Sequence, residues 1–209
     1  MNQDLEKLGK EIQQSFSLLL KEYLPKNLLE KAKENKSLKI ISIACGKFLE
    51  AECLFECFSS NDNQIKLFGI EIDKDLFNSA NERLFSGNKK DQISLKCGDA
   101  TSPENYEEWI KDGLFDLIII RHPEITFNTD VFMKIFSNCK TLLLKEGFIF
   151  VTTHHENEKR AVEFLFKILD FNIVLEVENQ GAASSKKGDE IVYADKYLLI
   201  GNNSKKIAS

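Results

Sequence analysis

Several apolar runs of the sequence end in residues able to do chemistry. ISIACGKFLEAE, residues 41–52, breaks at a small-residue turn and re-enters as a helix-like segment. A corner of that kind often holds a nucleotide-like cofactor against main-chain amides, although Gly46 is its single glycine. GIEID at 69–73 ends in Glu71 and Asp73, and Glu71 stands 25 positions beyond Gly46, near the roughly 20-residue offset across one strand–helix unit. CGDA at 97–100 offers Asp99, and FDLIIIRHPE at 115–124 offers Arg121, His122 and the weaker candidate Glu124. An imidazole, with a reference pKa near ~6.5, suits proton transfer, and a guanidinium suits a carboxylate partner. TTHHENE places His154 and His155 after another such run. Neighbours on a strand face opposite ways, so the pair is no metal site.

These groups must be positioned by a fold that the rest of the chain supports. Its 209 residues suit one domain with a full core, and 43% hydrophobic with 29% charged residues is ordinary for a soluble globular protein. A formal net charge of −5 argues against nucleic-acid or anionic-lipid partners. MNQDLEKLGKEIQQ lacks an apolar core like that of a secretory leader, and no apolar run approaches the roughly 18 residues of a membrane span. The five cysteines are scattered without a C-x-x-C pair, which excludes a disulfide framework or zinc site. Cys53 and Cys57 share one helix face as small buried residues, and a reducing cytoplasm is the expected location.

Leu5, Leu8, Ile12, Phe16, Leu19 and Tyr23 form one face of an amphipathic helix, interrupted at Pro25 and followed by a short helical stretch over 27–36. LKIISIA, IKLFGIEI, ISLKCG, FDLIII and GFIFVTT then alternate with helical spacing at 50–58, 75–85, 103–111, 131–144 and 158–169. Asp73 is expected to cap the second of these helices, and the last is entered through Asn157. Near-continuous apolar strands alternating with helices predict a three-layer α/β sandwich around a mostly parallel sheet. FNIVLEVEN and EIVYADKYLLIG have no helix between them and read as an antiparallel hairpin. Their connection QGAASSKKGD is polar, and SSKKGD is expected to be mobile. The divisions are a helical segment at 1–36, a domain at 37–202 and a tail at 203–209.

Five strand–helix units closed by a hairpin resemble the class I S-adenosylmethionine-dependent methyltransferases over roughly residues 38–202. The resemblance implies a seven-stranded sheet in the order 3-2-1-4-5-7-6 with strand seven antiparallel. Against the family's acidic-x-Gly-x-Gly-x-Gly motif, Ser42 takes the acidic place and Ala44, Gly46 and Phe48 the glycine places. Phe48 sets a large ring where the methionine moiety would approach, unless it points into the core. The resemblance further implies that Glu71 accepts from both ribose hydroxyls, with Ile72 beside it, and that Asp99 and Ala100 meet the adenine. As a strand-end acid, Glu71 is expected to contribute little to the core. Lys47 belongs to the cofactor loop, and Arg121 can pair with a carboxylate of cofactor or substrate. The Asn/Asp-Pro-Pro-aromatic motif of some amino-group methyltransferases is replaced by Arg121-His122-Pro123-Glu124, which counts against adenine or glutamine N-methylation.

The function expected is methyl transfer from S-adenosylmethionine, with S-adenosylhomocysteine as product, to the oxygen or nitrogen of a small molecule. His122 is the candidate general base, and one histidine of the 154–155 pair and Tyr193 can reach the same mouth. The N-terminal helices would cover part of the acceptor pocket. One rival is a non-catalytic protein of the same fold, favoured by Ser42, Ala44 and Phe48. A nicotinamide-dependent reductase is another, but it requires a Gly-x-Gly-x-x-Gly turn that Cys45-Gly46-Lys47-Phe48 does not provide.

Overall fold

The computed structural model describes residues 2–34, 37–58, 65–85, 90–187 and 190–203. Two helices, α1 (Asn2–Tyr23) and α2 (Lys26–Lys33), precede β1 (Leu38–Ile43), α3 (Glu50–Phe58), β2 (Ile65–Glu71), α4 (Lys74–Phe85) and β3 (Ile93–Cys97). Then come a 3-10 turn, α5 (Glu107–Ile110), β4 (Phe115–Arg121), α6 (Thr129–Leu142), β5 (Leu143–Thr153) and α7 (Glu156–Ile168). The chain closes with β6 (Asn172–Glu178), β7 (Ser184–Lys187), β8 (Glu190–Tyr193) and β9 (Tyr197–Asn202). Among the described residues these strands make a seven-stranded sheet, β3-β2-β1-β4-β5-β9-β6, and a separate β7–β8 pair. β9 is antiparallel to β5 and β6, and the other pairings of the large sheet are parallel. That is the order and polarity that the resemblance implies.

The continuous apolar runs are explained by their two covered faces. LKIISI is buried at all six positions. Ile40, Leu67, Leu117, Ile119, Phe150 and Ile200 point to one face, where α1, α2, α3 and α4 pack. Ile41, Phe68, Ile70, Ile118, Ile120, Val151 and Leu199 point to the other, with α5, α6 and α7. The edge strand β6 alternates between half-buried and exposed residues instead. α1 fills the first face over β5 and β9: Phe16 is fully buried and meets Phe150 edge to face at 6.1 Å between ring centroids.

Several boundaries differ from the sequence reading. The helix expected to reach residue 144 stops at Leu142, because Leu143 is extended (φ −86°, ψ 133°) and starts β5 without a loop. α7 begins at Glu156, before Asn157, because the Glu158 carboxylate accepts the N–H groups of both His154 (3.0 Å) and His155 (3.1 Å). Asp73 does cap α4, accepting from the N–H groups of Asp75 (2.8 Å) and Leu76 (3.0 Å). The last hydrophobic run is two strands, broken at Ala194-Asp195-Lys196, where Asp195 takes a left-handed φ of +53°. The segment expected as a mobile loop supplies β7, since Ser184–Lys187 pair with β8 in an antiparallel ladder. Gly188 and Asp189, like 35–36 of the second helical stretch, lie outside the described residues.

Candidate functional site

A cavity of about 310 Å³ at the carboxyl ends of β1 and β4 is lined by Ala44, Cys45, Gly46, Lys47, Leu49, Glu50, Leu76, Arg121 and His122. Its floor is the turn between β1 and α3. Ala44, Gly46 and Phe48 have φ values of +52°, +54° and +51°, so alternate residues of the turn lie in the left-handed region that favours glycine. These are the positions that the resemblance assigns to glycines. A Cβ built on Gly46 would meet nothing within 4 Å, which leaves open space above the turn.

The turn is pinned from below and from the side. Glu71, buried at the end of β2, accepts the Gly46 N–H at Oε2 (2.7 Å) and the Asp73 N–H at Oε1 (2.9 Å). The expectation of a carboxylate contributing little to the fold is therefore corrected: Glu71 ties the β1–α3 turn to the turn after β2. Arg83 of α4 donates to the carbonyls of Lys47 (2.9 Å) and Phe48 (2.8 Å) and pairs with Glu52. Phe48 is a second correction. Its side chain is 1% exposed and faces the core beside Gly69 of β2, where a Cβ would come within 3.1 Å of the Phe48 ring. The missing glycine is thus matched by a space for its ring in the neighbouring strand, and Phe48 offers a cofactor no side-chain surface.

Ser42, at the place of an acid, is buried and donates to the buried carboxylate of Glu50. Arg121 lies 3.7 Å from the same carboxylate and forms a two-point pair with Asp195, Nε to Oδ1 at 3.1 Å and Nη2 to Oδ2 at 2.6 Å. Its guanidinium rests on the Phe16 ring, 4.0 Å from the centroid. The carboxylate partner expected from a ligand is thus supplied by the chain itself, although Arg121 still lines the cavity. Burial opposes the charge on Asp195, but Arg121 and then His122 overcome it and hold its carboxyl well below the usual carboxylate range. Burial also opposes the Arg121 charge, and Asp195 outweighs it.

His122 follows β4 with a φ of +52°, its N–H bonded to the Thr152 carbonyl at 2.8 Å. Its Nε2 is 3.0 Å from Asp195 Oδ1 and 3.0 Å from the Asp195 main-chain nitrogen. The ring stacks on His154 with centroids 3.8 Å apart and planes 23° apart. His154 Nδ1 lies 2.7 Å from the Tyr193 carbonyl oxygen. Burial, then the adjacent His122, lowers the His154 pKa. His154 is the histidine of the pair that meets His122, while His155 precedes α7, and Tyr193 reaches the cluster through its main chain.

The remaining predicted residues are spread along the same sheet edge. Ile72 is 68% exposed just beyond β2, an apolar surface without a cover. Asp99 is exposed, with Oδ1 accepting from the Thr101 N–H (2.8 Å), and the Ala100 carbonyl accepts from Tyr106 Oη (2.8 Å) and Asn138 (3.1 Å). None of Ile72, Asp99 and Ala100 lines the cavity itself. Sequence reasoning missed Glu50, Thr152 and Asp195. Glu50 and Asp195 carried a usable signal, an acid directly after a cofactor-like turn and an acid interrupting an apolar run.

No family model matches the chain, and no curated protein matches it by sequence. Its fold does match solved structures. An S-adenosylmethionine-dependent methyltransferase from Clostridium acetobutylicum superposes with a TM-score of 0.59 at 13% identity, over 93% of this chain and 92% of that one. Magnesium protoporphyrin IX methyltransferase from Synechocystis, with bound S-adenosylmethionine, gives 0.59 at 11% identity over 94% and 81%. The N-methyltransferase NodS from Bradyrhizobium japonicum gives 0.53 at 16% identity over 86% and 94%. At such identities the likeness is one of fold, and that fold is the class I S-adenosylmethionine-dependent methyltransferase fold.

Proposed function

We propose that the protein transfers a methyl group from S-adenosylmethionine to the oxygen or nitrogen of a small molecule. The observation that carries this reading is the β1–α3 turn. Three alternate residues hold left-handed backbone although two of them bear side chains, a conformation that costs about 1–2 kcal/mol at each non-glycine position. Strain of that kind persists where a site needs it. The open space above Gly46 admits a ligand to the turn, and a volume of about 310 Å³ falls in the range of small-molecule pockets.

The residues fit the cofactor's parts as follows. Ala44, Gly46 and Lys47 form the cradle, and Glu71 holds it in shape while presenting acceptor lone pairs to a ribose diol. Exposed Ile72 gives an apolar face for a purine, with Asp99 and Ala100 at the next strand end. Glu50 lines the cavity as a buried carboxylate beside Arg121 and takes the place that Ser42 lacks the charge to fill. When bound, S-adenosylmethionine supplies an electrophilic methyl carbon. The chain's part is to align the acceptor and remove its proton, and we assign the second task to His122, which lines the cavity.

Calorimetric titration with S-adenosylhomocysteine tests the reading, followed by a screen of small amines, phenols and carboxylates for methylation. Wild type is expected to bind, and Glu71→Gln to bind at least tenfold more weakly, about 1.4 kcal/mol or more, within the usual worth of hydrogen bonds to a charged group. Absence of wild-type binding would overturn the reading. Binding without turnover on any acceptor would favour the non-catalytic alternative.

A further inference from the structure

We infer that Glu50 Oε2 and Arg121 Nη1 form a receptor for an α-amino-acid head, with the ligand's ammonium group on the carboxylate and its carboxylate on the guanidinium. Which molecule brings that head rests on the methyltransferase reading: the cofactor through its methionine end, or an amino-acid acceptor.

Each residue is held from behind by part of its charged group and leaves the rest uncommitted. Glu50, in the first turn of α3, accepts from Ser42 Oγ at Oε1. Arg121, at the end of β4, gives Nε and Nη2 to Asp195, and Phe16 lies against its guanidinium. The atoms left over, Oε2 and Nη1, are 3.7 Å apart, beyond hydrogen-bond reach. Neither has a hydrogen-bond partner among the described residues. Both side chains are nearly buried, 12% exposed for Arg121 and 4% for Glu50, and both line the cavity. Neither atom is sealed inside the protein, so the cavity is where they open. Taking charges out of water is compensated only where hydrogen bonds complete them, and here one oxygen and one nitrogen remain for a ligand.

A ligand with a single charge would gain on one atom and lose on the other. A lone carboxylate on Nη1 would face Glu50, and a lone ammonium group on Oε2 would face Arg121, each against a like charge at short range. An α-amino acid bears both groups on one carbon and satisfies the two atoms together. A neutral hydroxyl bridging them would bond less well, since hydrogen bonds that involve ionised groups are roughly twice as strong as neutral ones. The remaining charges keep the balance. Asp195 lies behind Arg121, and exposed Lys47 lines the same cavity with no side-chain partner among the described residues. Lys47 is thus available to the second carboxylate oxygen.

Calorimetric titration with S-adenosylhomocysteine, 5′-methylthioadenosine and a set of free L-amino acids tests the inference. 5′-Methylthioadenosine keeps the adenosine and the sulfur and lacks the amino-acid head. If the cofactor brings the head, S-adenosylhomocysteine should bind wild type more tightly than 5′-methylthioadenosine by about tenfold or more. Glu50→Gln should then remove that preference and leave the affinity for 5′-methylthioadenosine unchanged. If an acceptor brings it, the two nucleosides bind alike. A free L-amino acid then binds the protein loaded with S-adenosylhomocysteine, and does so about tenfold more weakly in Glu50→Gln. Nucleosides that bind alike, with no amino acid bound by the free or the loaded protein, would overturn the receptor and leave the methyltransferase reading standing. An amino acid that binds where neither nucleoside does would support the receptor and remove the methyltransferase reading. An unchanged preference in folded Glu50→Gln would also overturn the receptor, and if that variant does not fold, the wild-type comparison decides alone.

Discussion

Ala44 and Phe48 hold the same left-handed backbone for different reasons, and their substitutions should differ in sign. Ala44 is exposed, and its methyl group packs on no core residue. Ala44→Gly relieves about 1–2 kcal/mol of strain and gives back about 0.4–1 kcal/mol through a freer unfolded chain, so a net gain of up to about 1.6 kcal/mol is expected. Phe48 bears the same backbone strain but returns a fully buried ring. Phe48→Ala keeps the strain and removes the ring, and should cost about 3–5 kcal/mol. Denaturant melts of the two variants check both values, and a stabilised Phe48→Ala protein would contradict the packing described. The residue types of ISIACGKFLEAE disclosed a turn, but whether its phenylalanine faced ligand or core depended on Gly69, twenty-one positions away in the next strand.

At the scale of elements, α1 answers a question of coverage. β5 and β9 present Phe150, Leu198 and Ile200 to the face where α3 lies, and α1 completes the layer above them. From one side of this helix Gln13 reaches the Leu49 carbonyl (3.5 Å) and Glu52 (3.1 Å), and Phe16 supports Arg121. Phe16→Ala should therefore destabilise by about 3–5 kcal/mol, as large aromatic truncations in cores do. It should also loosen the Arg121–Asp195 pair. Urea unfolding is the measurement, and unchanged stability with an altered KM would make α1 a cover for the acceptor rather than part of the core. The β7–β8 pair is the other element with a local task, since its return segment delivers the Tyr193 carbonyl and the Asp195 carboxylate to the ends of β4 and β5.

For the whole molecule, buried charge at one sheet edge makes folding pH-dependent with a definite sign. His154 has a folded pKa below its unfolded value, so the unfolded chain binds more protons as pH falls through about 6.5. Its contribution is complete above that pH and declines below it. Asp195 acts in the same direction at lower pH, because its depressed pKa stabilises the fold above about 3.9 and that contribution is lost as acidity increases further. The melting temperature should thus fall from pH 7 to pH 5, and more steeply in wild type than in His154→Gln. Parallel curves for the two proteins would show that His154 titrates alike in both states.

The amino-acid sequence by itself determined the layers, the polarity of the strands and the strand ends where chemistry gathers, while the strand order came only with the resemblance. The first three follow from local rules: apolar runs with two covered faces, helical spacing between them, and a hairpin wherever a loop alone separates two strands. It also disclosed Glu71, Gly46 and His122 as candidates, because each follows directly on an apolar run. What Arg121 pairs with, which histidine stacks on His122, and which carboxylate lies beside it were decided by the tertiary structure alone. Asp195 is 73 positions from His122 in the chain. No local pattern relates them, because β9 inserts antiparallel between β5 and β6 and carries the bend before it to the carboxyl end of β5. Charge partners at a sheet edge are chosen by the register of strands that meet last, and register is a property of the folded whole.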